Sequence, residues 1–357
     1  MRKKIIVAMS GGVDSSTTAA LLKERGYEVS GVTMQLWDYA EEETGCCSLN
    51  DVFDARQAAN QIGIKHMVIN YKEDFQNYVV KDFIQKYYSG LTPNPCIMCN
   101  EYMKFNFLLN KALELGADYL ATGHYAKISK TIEGNYFLEK GDDKFKDQSY
   151  FLFSLEQKEL SRLMFPMGEF TKSEVRQISK GFKLTVSTKK ESQDVCFIAK
   201  DYRNFIEKNF ENNTPKIGSI KNINGKVLAN HSGIHNFTIG QRKRLGISSV
   251  KPLYVVSINY KNGDIVVGDE IDLYSTKLYA NDLNWSIDPK TINNKKLKAK
   301  IRYRSSESSV RINLLNKRVC VEFDKPQRAI TPGQAIVFYD ENKVVGGGWI
   351  EEVSKEN

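Results

Sequence analysis

The feature that most constrains this chain is a junction near its start, where Lys4-Ile5-Ile6-Val7-Ala8-Met9 runs directly into Ser10-Gly11-Gly12-Val13-Asp14-Ser15-Ser16. A short apolar run, a glycine pair and helix-compatible residues read as a buried strand, a tight turn and a helix start. Glycines let the backbone approach an anion, serines add hydroxyl donors, and a helix N-terminus presents unpaired N–H groups at the positive end of its dipole. The junction is therefore a pyrophosphate cradle in an α/β fold. It is neither a Walker A loop nor a GxGxxG dinucleotide loop, since both spacings are absent. A glycine turn without a ligand would leave the phosphate-compatible residues around it unexplained. Asp14, a carboxylate in an anion site, calls for a cation, and Mg²⁺ carried by ATP would supply one.

The next hundred residues continue the pattern. Strands are expected at residues 4–9, 28–34, 66–70 and 117–122, with helices at 15–25, 51–62, 74–88 and 104–115. Such alternation builds a parallel sheet covered by helices, with its ligand beyond the carboxyl ends of the strands. Residues 10–16, Met34 and Gly123-His124 should converge there. Thr171 with Glu174 makes a capping box for a helix over 171–180. From about Pro215 the texture changes to short β-rich runs broken by Asn224-Gly225 and Asn262-Gly263, a hairpin pattern. The expected organisation is an α/β domain over 1–205, a small central β-rich domain over 206–272 and a barrel-like β domain over 273–357.

Charge divides the chain in the same place. Up to Phe205 there are 27 basic and 27 acidic residues, against 24 and 16 beyond it, so the whole net charge of +8 lies in the β-rich part. That asymmetry suggests a polyanion partner for the second part. Residues 290–304 hold seven basic residues and no acidic one. Within them, Leu297-Lys298-Ala299-Lys300-Ile301-Arg302-Tyr303-Arg304 would place four cations on one strand face and four core-seeking residues on the other. Gln241-Arg242-Lys243-Arg244 offers a second basic patch. No apolar run approaches the roughly 20 residues that span a bilayer, and the run at 5–9 is too short for an export signal. Six cysteines are too few for a disulfide scaffold, so reduced thiols in the cytoplasm are expected.

Thr92-Pro93-Asn94-Pro95-Cys96-Ile97-Met98-Cys99-Asn100 reads as a proline-braced loop leading into a helix that starts near Lys104. Thiols close to a helix N-terminus tend toward the reactive thiolate. A closed zinc site would need a second ligand pair, which the sequence does not offer. Cys196, in Val195-Cys196-Phe197-Ile198, is flanked by apolar residues and by itself reads as an inert core thiol.

Taken together the motifs carry a resemblance. SGGVDSS resembles the PP-loop of the ATP pyrophosphatase superfamily, with its adenine nucleotide alpha-hydrolase-like parallel sheet. The ordered series AMSGGVDSS, GCCSLNDVFDAR, TPNPCIMCN, ATGHYAK, KDQSYFL, MGEFTKSEVR, SQDVCFI, TIGQRKRLGI, RYRS and TPGQAIVFY is similar to the tRNA-specific 2-thiouridylases over essentially the whole chain. The resemblance implies an ATP-dependent tRNA-uridine 2-sulfurtransferase: the C2 oxygen of the wobble uridine (position 34) is adenylated, then replaced by sulfur from a cysteine persulfide, releasing AMP and pyrophosphate. It implies that Ala8, Met9, Ser10, Gly11, Gly12, Val13, Asp14, Ser15, Met34 and Gly123 hold ATP, with Mg²⁺. Cys99 would be the nucleophile and Cys196 the persulfide carrier, the pair ending as a disulfide. Asn94, Pro95 and Cys96 would line the target base, and His124, Lys146, Asp147, Gln148, Arg304, Ser305 and Gln334 would touch tRNA. The implied partners are tRNAs for Lys, Glu and Gln and a cysteine desulfurase or sulfur-relay protein, with the chain acting as a cytoplasmic monomer. Some members carry aspartate where this chain has Cys96, which puts a base role there in doubt. The three thiols Cys96, Cys99 and Cys196 could instead ligate an iron–sulfur cluster. Two rivals stay open: another ATP pyrophosphatase acting on tRNA, which needs no cysteine pair, and a non-catalytic RNA-binding protein.

Overall fold

The computed structural model describes residues 2–37, 49–190, 195–198, 201–209, 214–292 and 295–354, so Cys46 and Cys47 lie outside the described residues. The chain divides into two compact units: Met1–Val79, Pro95–Lys200 and Asn342–Val344, and Val80–Asn94, Asp201–Glu341 and Val345–Asn357.

The first unit is built on a parallel sheet of β1 (Lys4–Ala8), β2 (Glu28–Gln35), β3 (Lys65–Asn70), β4 (Tyr119–Ala121) and, after the hairpin of β5 (Ala126–Lys130) and β6 (Tyr136–Lys140), β7 (Leu163–Met164). The order is β3-β2-β1-β4-β7. Strands therefore add to one side of β1 early in the chain and to the other side later. That makes the gap between the carboxyl ends of β1 and β4 a topological switch point, where α/β sheets bind ligands. β1 is apolar throughout its middle because both faces are covered. Ile5, Val7 and Met9 pack with Ala19 and Leu22 of α1 (Val13–Glu24) and with Ala55, Ala58 and Ala59 of α2 (Leu49–Ile62). The alanine strip lets α2 lie close against the sheet.

One helix differs from expectation. Helical structure begins at Pro95, well before Lys104, as Pro95–Met98, then a π-helix over Cys99–Leu108, then Leu109–Glu114. Proline fits a first turn because its fixed φ is already helical and its missing N–H would have no partner there. Cys96 and Cys99 thus stand on a helix, not in a loop. The capping box is present: Thr171 Oγ1 accepts from the Glu174 N–H, and the Thr171 N–H donates to Glu174 Oε2 at 2.7 Å, opening the helix Lys172–Gly181.

In the second unit, β8 (Gly218–Asn222), β9 (Val227–His231), β10 (Tyr254–Ile258) and β11 (Ile265–Gly268) form one sheet in the order β10-β11-β8-β9. Asn224-Gly225 and Asn262-Gly263 lie between its paired strands. A closed barrel follows from β12 (Tyr274–Trp285), β13 (Lys296–Lys300), β14 (Ser308–Leu314), β15 (Val319–Arg328), β16 (Ala335–Asp340) and β17 (Lys343–Ser354), ordered β12-β15-β14-β13-β16-β17, with β12 also pairing β17. Leu297 and Ala299 point into its core while Lys296 and Lys298 are exposed. The four-cation face ends early, however. β13 stops at Lys300, and Ser305 closes a turn on the Arg302 carbonyl through its N–H at 3.1 Å and its hydroxyl at 2.9 Å. Arg302 donates to the Arg328 carbonyl, so it braces the barrel, while Arg304 is exposed. Among the described residues, no helix is long and apolar enough to cross a membrane.

Candidate active site

A cavity of about 370 Å³ in the first unit opens at the switch point. Its phosphate end is lined by Ala8, Met9, Ser10, Asp14, Ser15, Met34 and Gly123. Gly11 has φ +70°, and a Cβ there would sit 2.2 Å from the Asp51 carbonyl oxygen, so both conformation and space demand glycine. Gly123, at the end of β4, approaches the same loop: its Cβ would fall 2.8 Å from the Ser15 nitrogen. Val13 turns its side chain into a core cluster with Leu21, Tyr125, Met167 and Val175, leaving only backbone to the loop. Ser16 Oγ is buried without a hydrogen-bond partner. Ser16 does not line the cavity, where Ser10 and Ser15 present the loop's hydroxyls.

Asp14 has its cation within the protein. Lys172 Nζ lies 2.7 Å and 2.9 Å from its two oxygens, and the Tyr125 hydroxyl donates to it at 2.7 Å. Within the protein, then, it is a lysine that faces the Asp14 carboxylate. A second lysine ties the loop to its surroundings. Lys189 Nζ donates to the Gly11 carbonyl at 3.1 Å, to Asp51 at 2.7 Å and to Asp54 at 2.5 Å. Burial alone would lower its pKa, but these two carboxylates outweigh it and hold the pKa above the usual lysine value.

The sulfur end of the same cavity is lined by Pro95, Cys96, Cys99, Val195, Cys196 and Phe197. Cys96 is exposed and Cys99 and Cys196 are half-buried. Phe197 anchors the Cys196 segment by an edge contact with Phe75 (5.5 Å between centroids) and a tilted contact with Trp37 (6.2 Å). Among the described residues no three His, Cys, Asp or Glu side chains form a group that could hold a metal ion. The three cysteines share a cavity without closing into a cluster site, so the iron–sulfur expectation finds no fit in this arrangement.

Residues 3–200 match the family described as tRNA methyl transferase HUP domain, 203–269 its PRC-barrel domain, and 275–350 the aminomethyltransferase beta-barrel domain. The tRNA-specific 2-thiouridylase MnmA of Geobacter metallireducens is 47% identical over 99% of this chain and 98% of its own length. The protein of the same name from Acetivibrio thermocellus is 48% identical over 98% and 99%. This chain belongs to the tRNA-specific 2-thiouridylase family. Among solved structures, a 4-thiouridine synthetase–RNA complex with bound ATP aligns over 58% of this chain and 50% of its own, at 19% identity and a TM-score of 0.38.

Gln148 lines the cavity and accepts the Tyr125 N–H at 3.0 Å. Asp147 is 4% exposed and spends its oxygens on Gly141 N, Ser149 N and Ser149 Oγ, so it organises the turn that presents Gln148. Lys146 is half-buried in that turn. In the second unit, Ser305 is half-buried, Asn94 is half-buried, and Gln334 donates to the carbonyls of Thr92 and Pro93 at 2.9 and 3.1 Å. His124 is buried and lines the cavity; Thr122 Oγ1 lies 2.6 Å from its Nδ1 and Lys104 Nζ 3.4 Å from its Nε2. Burial, then the Lys104 charge, push its pKa well below the usual histidine value. Sequence reasoning missed Lys104, Lys172 and Lys189. Nothing in their local sequence distinguishes them, since each acquires its role from a partner distant in the chain or from helix winding.

Proposed function

We propose that this 2-thiouridylase makes 2-thiouridine at the wobble position of tRNA by adenylating the uridine at the phosphate end of the cavity and delivering sulfur from its cysteine end. The observation that carries this reading is that one cavity is lined by the Ser10–Ser15 loop and by both Cys99 and Cys196. Uridine C2 is a weak electrophile because its oxygen is a poor leaving group. Attack of that oxygen on the α-phosphorus of ATP forms an O–P bond, breaks the bond to pyrophosphate and releases the N3 proton. Backbone N–H groups of the loop and the serine hydroxyls stabilise the departing pyrophosphate. Mg²⁺ would enter on the nucleotide and share the phosphate charge.

The terminal sulfur of a Cys196 persulfide then attacks C2, and AMP leaves with the former base oxygen. Cys99 thiolate attacks Cys196 Sγ, the S–S bond to the transferred sulfur breaks, and a proton returns to N3. The products are 2-thiouridine and a Cys99–Cys196 disulfide, which an external thiol reduces. A cysteine desulfurase or relay protein reloads Cys196; the tRNAs are those for Lys, Glu and Gln, and the chain works as a cytoplasmic monomer. Exposed Arg304, with Lys296 and Lys298 on the barrel, supplies phosphate contacts.

The test is mass spectrometry of unmodified tRNA incubated with the protein, ATP, Mg²⁺, a cysteine desulfurase with free cysteine to load Cys196 with sulfane sulfur, and a thiol to reduce the disulfide. 2-Thiouridine is expected with the native chain, and neither Cys99→Ser nor Cys196→Ser should produce it while both still bind ATP. Thiouridine from either variant would refute the cysteine roles.

A further inference from the structure

Lys172 and Lys189 bond to the Gly11–Asp14 loop, Lys104 lines the cavity beside His124, and the three differ in one respect that matters for catalysis. Lys172 is paired with Asp14, and Lys189 with Asp51 and Asp54. Among the described residues, Lys104 is the one Lys or Arg that lines the cavity, and its hydrogen-bond partners are neutral. Asn100 Oδ1 accepts from its ammonium at 2.8 Å and His124 Nε2 at 3.4 Å. An ammonium can only donate, so His124 Nε2 must accept, and the ring proton sits on Nδ1 facing Thr122 Oγ1 at 2.6 Å.

Both acceptors are themselves fixed. Asn100 is 4% exposed and gives its amide hydrogen to the Phe151 carbonyl at 3.1 Å. The His124 ring is 9% exposed and lies between Phe105 and Phe165, with centroids 5.8 and 5.7 Å away. The π-helix contributes as well. Its i→i+5 bonding stacks residues five apart, which brings Lys104 toward the face of Cys99, and Cys99, Asn100 and Lys104 all line the cavity. The result is a held, uncompensated positive charge in a largely apolar cavity, with one N–H left for a ligand. A cation so placed acts far more strongly on a developing anion than it would in water.

We infer that Lys104 is the cation that stabilises the negative charge developing on the α-phosphoryl group as uridine O2 displaces pyrophosphate. Asn100 and His124 are its positioning residues. The inference rests on the thiolation reading above and adds to it a residue that acts on adenylation and not on sulfur transfer.

Adenylation is isolated in a Cys99→Ser/Cys196→Ser chain by measuring tRNA-dependent pyrophosphate release in a single turnover. Adding Lys104→Met should slow that step about 100-fold or more, the loss typical of one preorganised oxyanion donor. Lys104→Arg should recover part of the rate, and the dissociation constant for ATP should change far less than the rate does. Circular dichroism and ATP binding report whether each variant is folded; Lys104→Gln, which still donates to Asn100, serves if Lys104→Met is not. In chains with native cysteines, the pH profile of Cys99 alkylation should be the same with and without Lys104. Adenylation by Lys104→Met within a few-fold of its parent would overturn the inference alone. So would a shifted Cys99 profile with adenylation intact, because Lys104 would then serve the thiol. Absence of tRNA-dependent pyrophosphate release already in the parent would overturn the thiolation reading and this inference with it.

Discussion

Gly123→Ala tests whether the phosphate site depends on the close approach of β4 to the Ser10–Ser15 loop. The added Cβ would lie 2.8 Å from Ser15 N, 2.9 Å from the Asp14 carbonyl carbon and 3.0 Å from Asp14 Cβ. Ordinary carbon contacts lie at roughly 3.5–4.0 Å, so a gap of about 0.5–1 Å must open. None of these atoms is the free end of a flexible side chain; they belong to the first turn of α1 and to a carboxylate held by Lys172 and Tyr125. Overpacking of this kind costs about 1–3 kcal/mol. If the strain relaxes by moving the loop, ATP affinity falls roughly 5- to 150-fold, at about 1.4 kcal/mol per tenfold. If it stays in the fold, the melting temperature falls instead. Calorimetric titration with ATP and thermal unfolding on one preparation separate the two. Gly12→Ala is the control for folding, because its Cβ would meet nothing closer than Ser10 Oγ at 3.5 Å and its φ is an ordinary −94°. Gly123→Ala with native ATP affinity and native melting temperature would refute the reasoning.

Further outcomes follow from single contacts. Lys189→Met leaves Asp51 and Asp54 without their shared cation and frees the Gly11 carbonyl; urea unfolding should show a loss of about 1–2 kcal/mol, discounted because Lys189 is 32% exposed, and the idea fails if stability is unchanged. His124 is neutral in the folded chain, so below pH 6.5 the unfolded chain binds a proton that the folded one does not. Stability should therefore fall as pH drops below 6.5, by up to about 1.4 kcal/mol per pH unit. His66 and His235 are shifted the same way, so the quantity to measure is the difference in slope between the native chain and His124→Gln; equal slopes would contradict the assignment. Arg304→Ala should weaken tRNA binding and reduce its salt dependence, whereas Arg302→Ala should lower barrel stability because Arg302 holds the Arg328 carbonyl. Filter binding across a salt series, paired with thermal unfolding, tells the two arginines apart.

The parts of this molecule that were legible in the sequence are those set by neighbours along the chain. The strand, glycine turn and helix at residues 4–24 are local, as are the Thr171 cap and the two Asn-Gly turns. The cationic alternation after Leu297 was legible only as far as the strand runs. Its second half failed because Ser305 turns the chain, and a period-two pattern carries no information about where a strand ends. Pro95 could have been recognised as a helix start from its fixed φ. Instead the two prolines around Asn94 read as loop bracing. Cys196 had no local signal at all. Its neighbour Phe197 is pinned by Phe75 and Trp37, more than a hundred residues earlier, so its position exists only in the folded unit.

The charge at the phosphate end depends on pairing, which composition cannot show. Up to Phe205 the basic and acidic residues are equal in number, yet the cavity is not electrically neutral in effect. Asp14 would repel phosphates from the first turn of α1 if it stood alone; Lys172, 158 positions away, removes that repulsion. Asp51 and Asp54 would do the same from α2 if Lys189 did not hold them against Gly11. With three nearby carboxylates balanced inside the protein, the field a nucleotide meets comes from backbone N–H groups, from serine hydroxyls and from Lys104, whose partners carry no charge. Exchanging partners would reverse this: a carboxylate at Asn100 would neutralise Lys104 without altering the count of lysines around the site. Reactivity here is therefore a property of which cations are left unpaired, and that becomes readable only when the fold has assigned each lysine its partner.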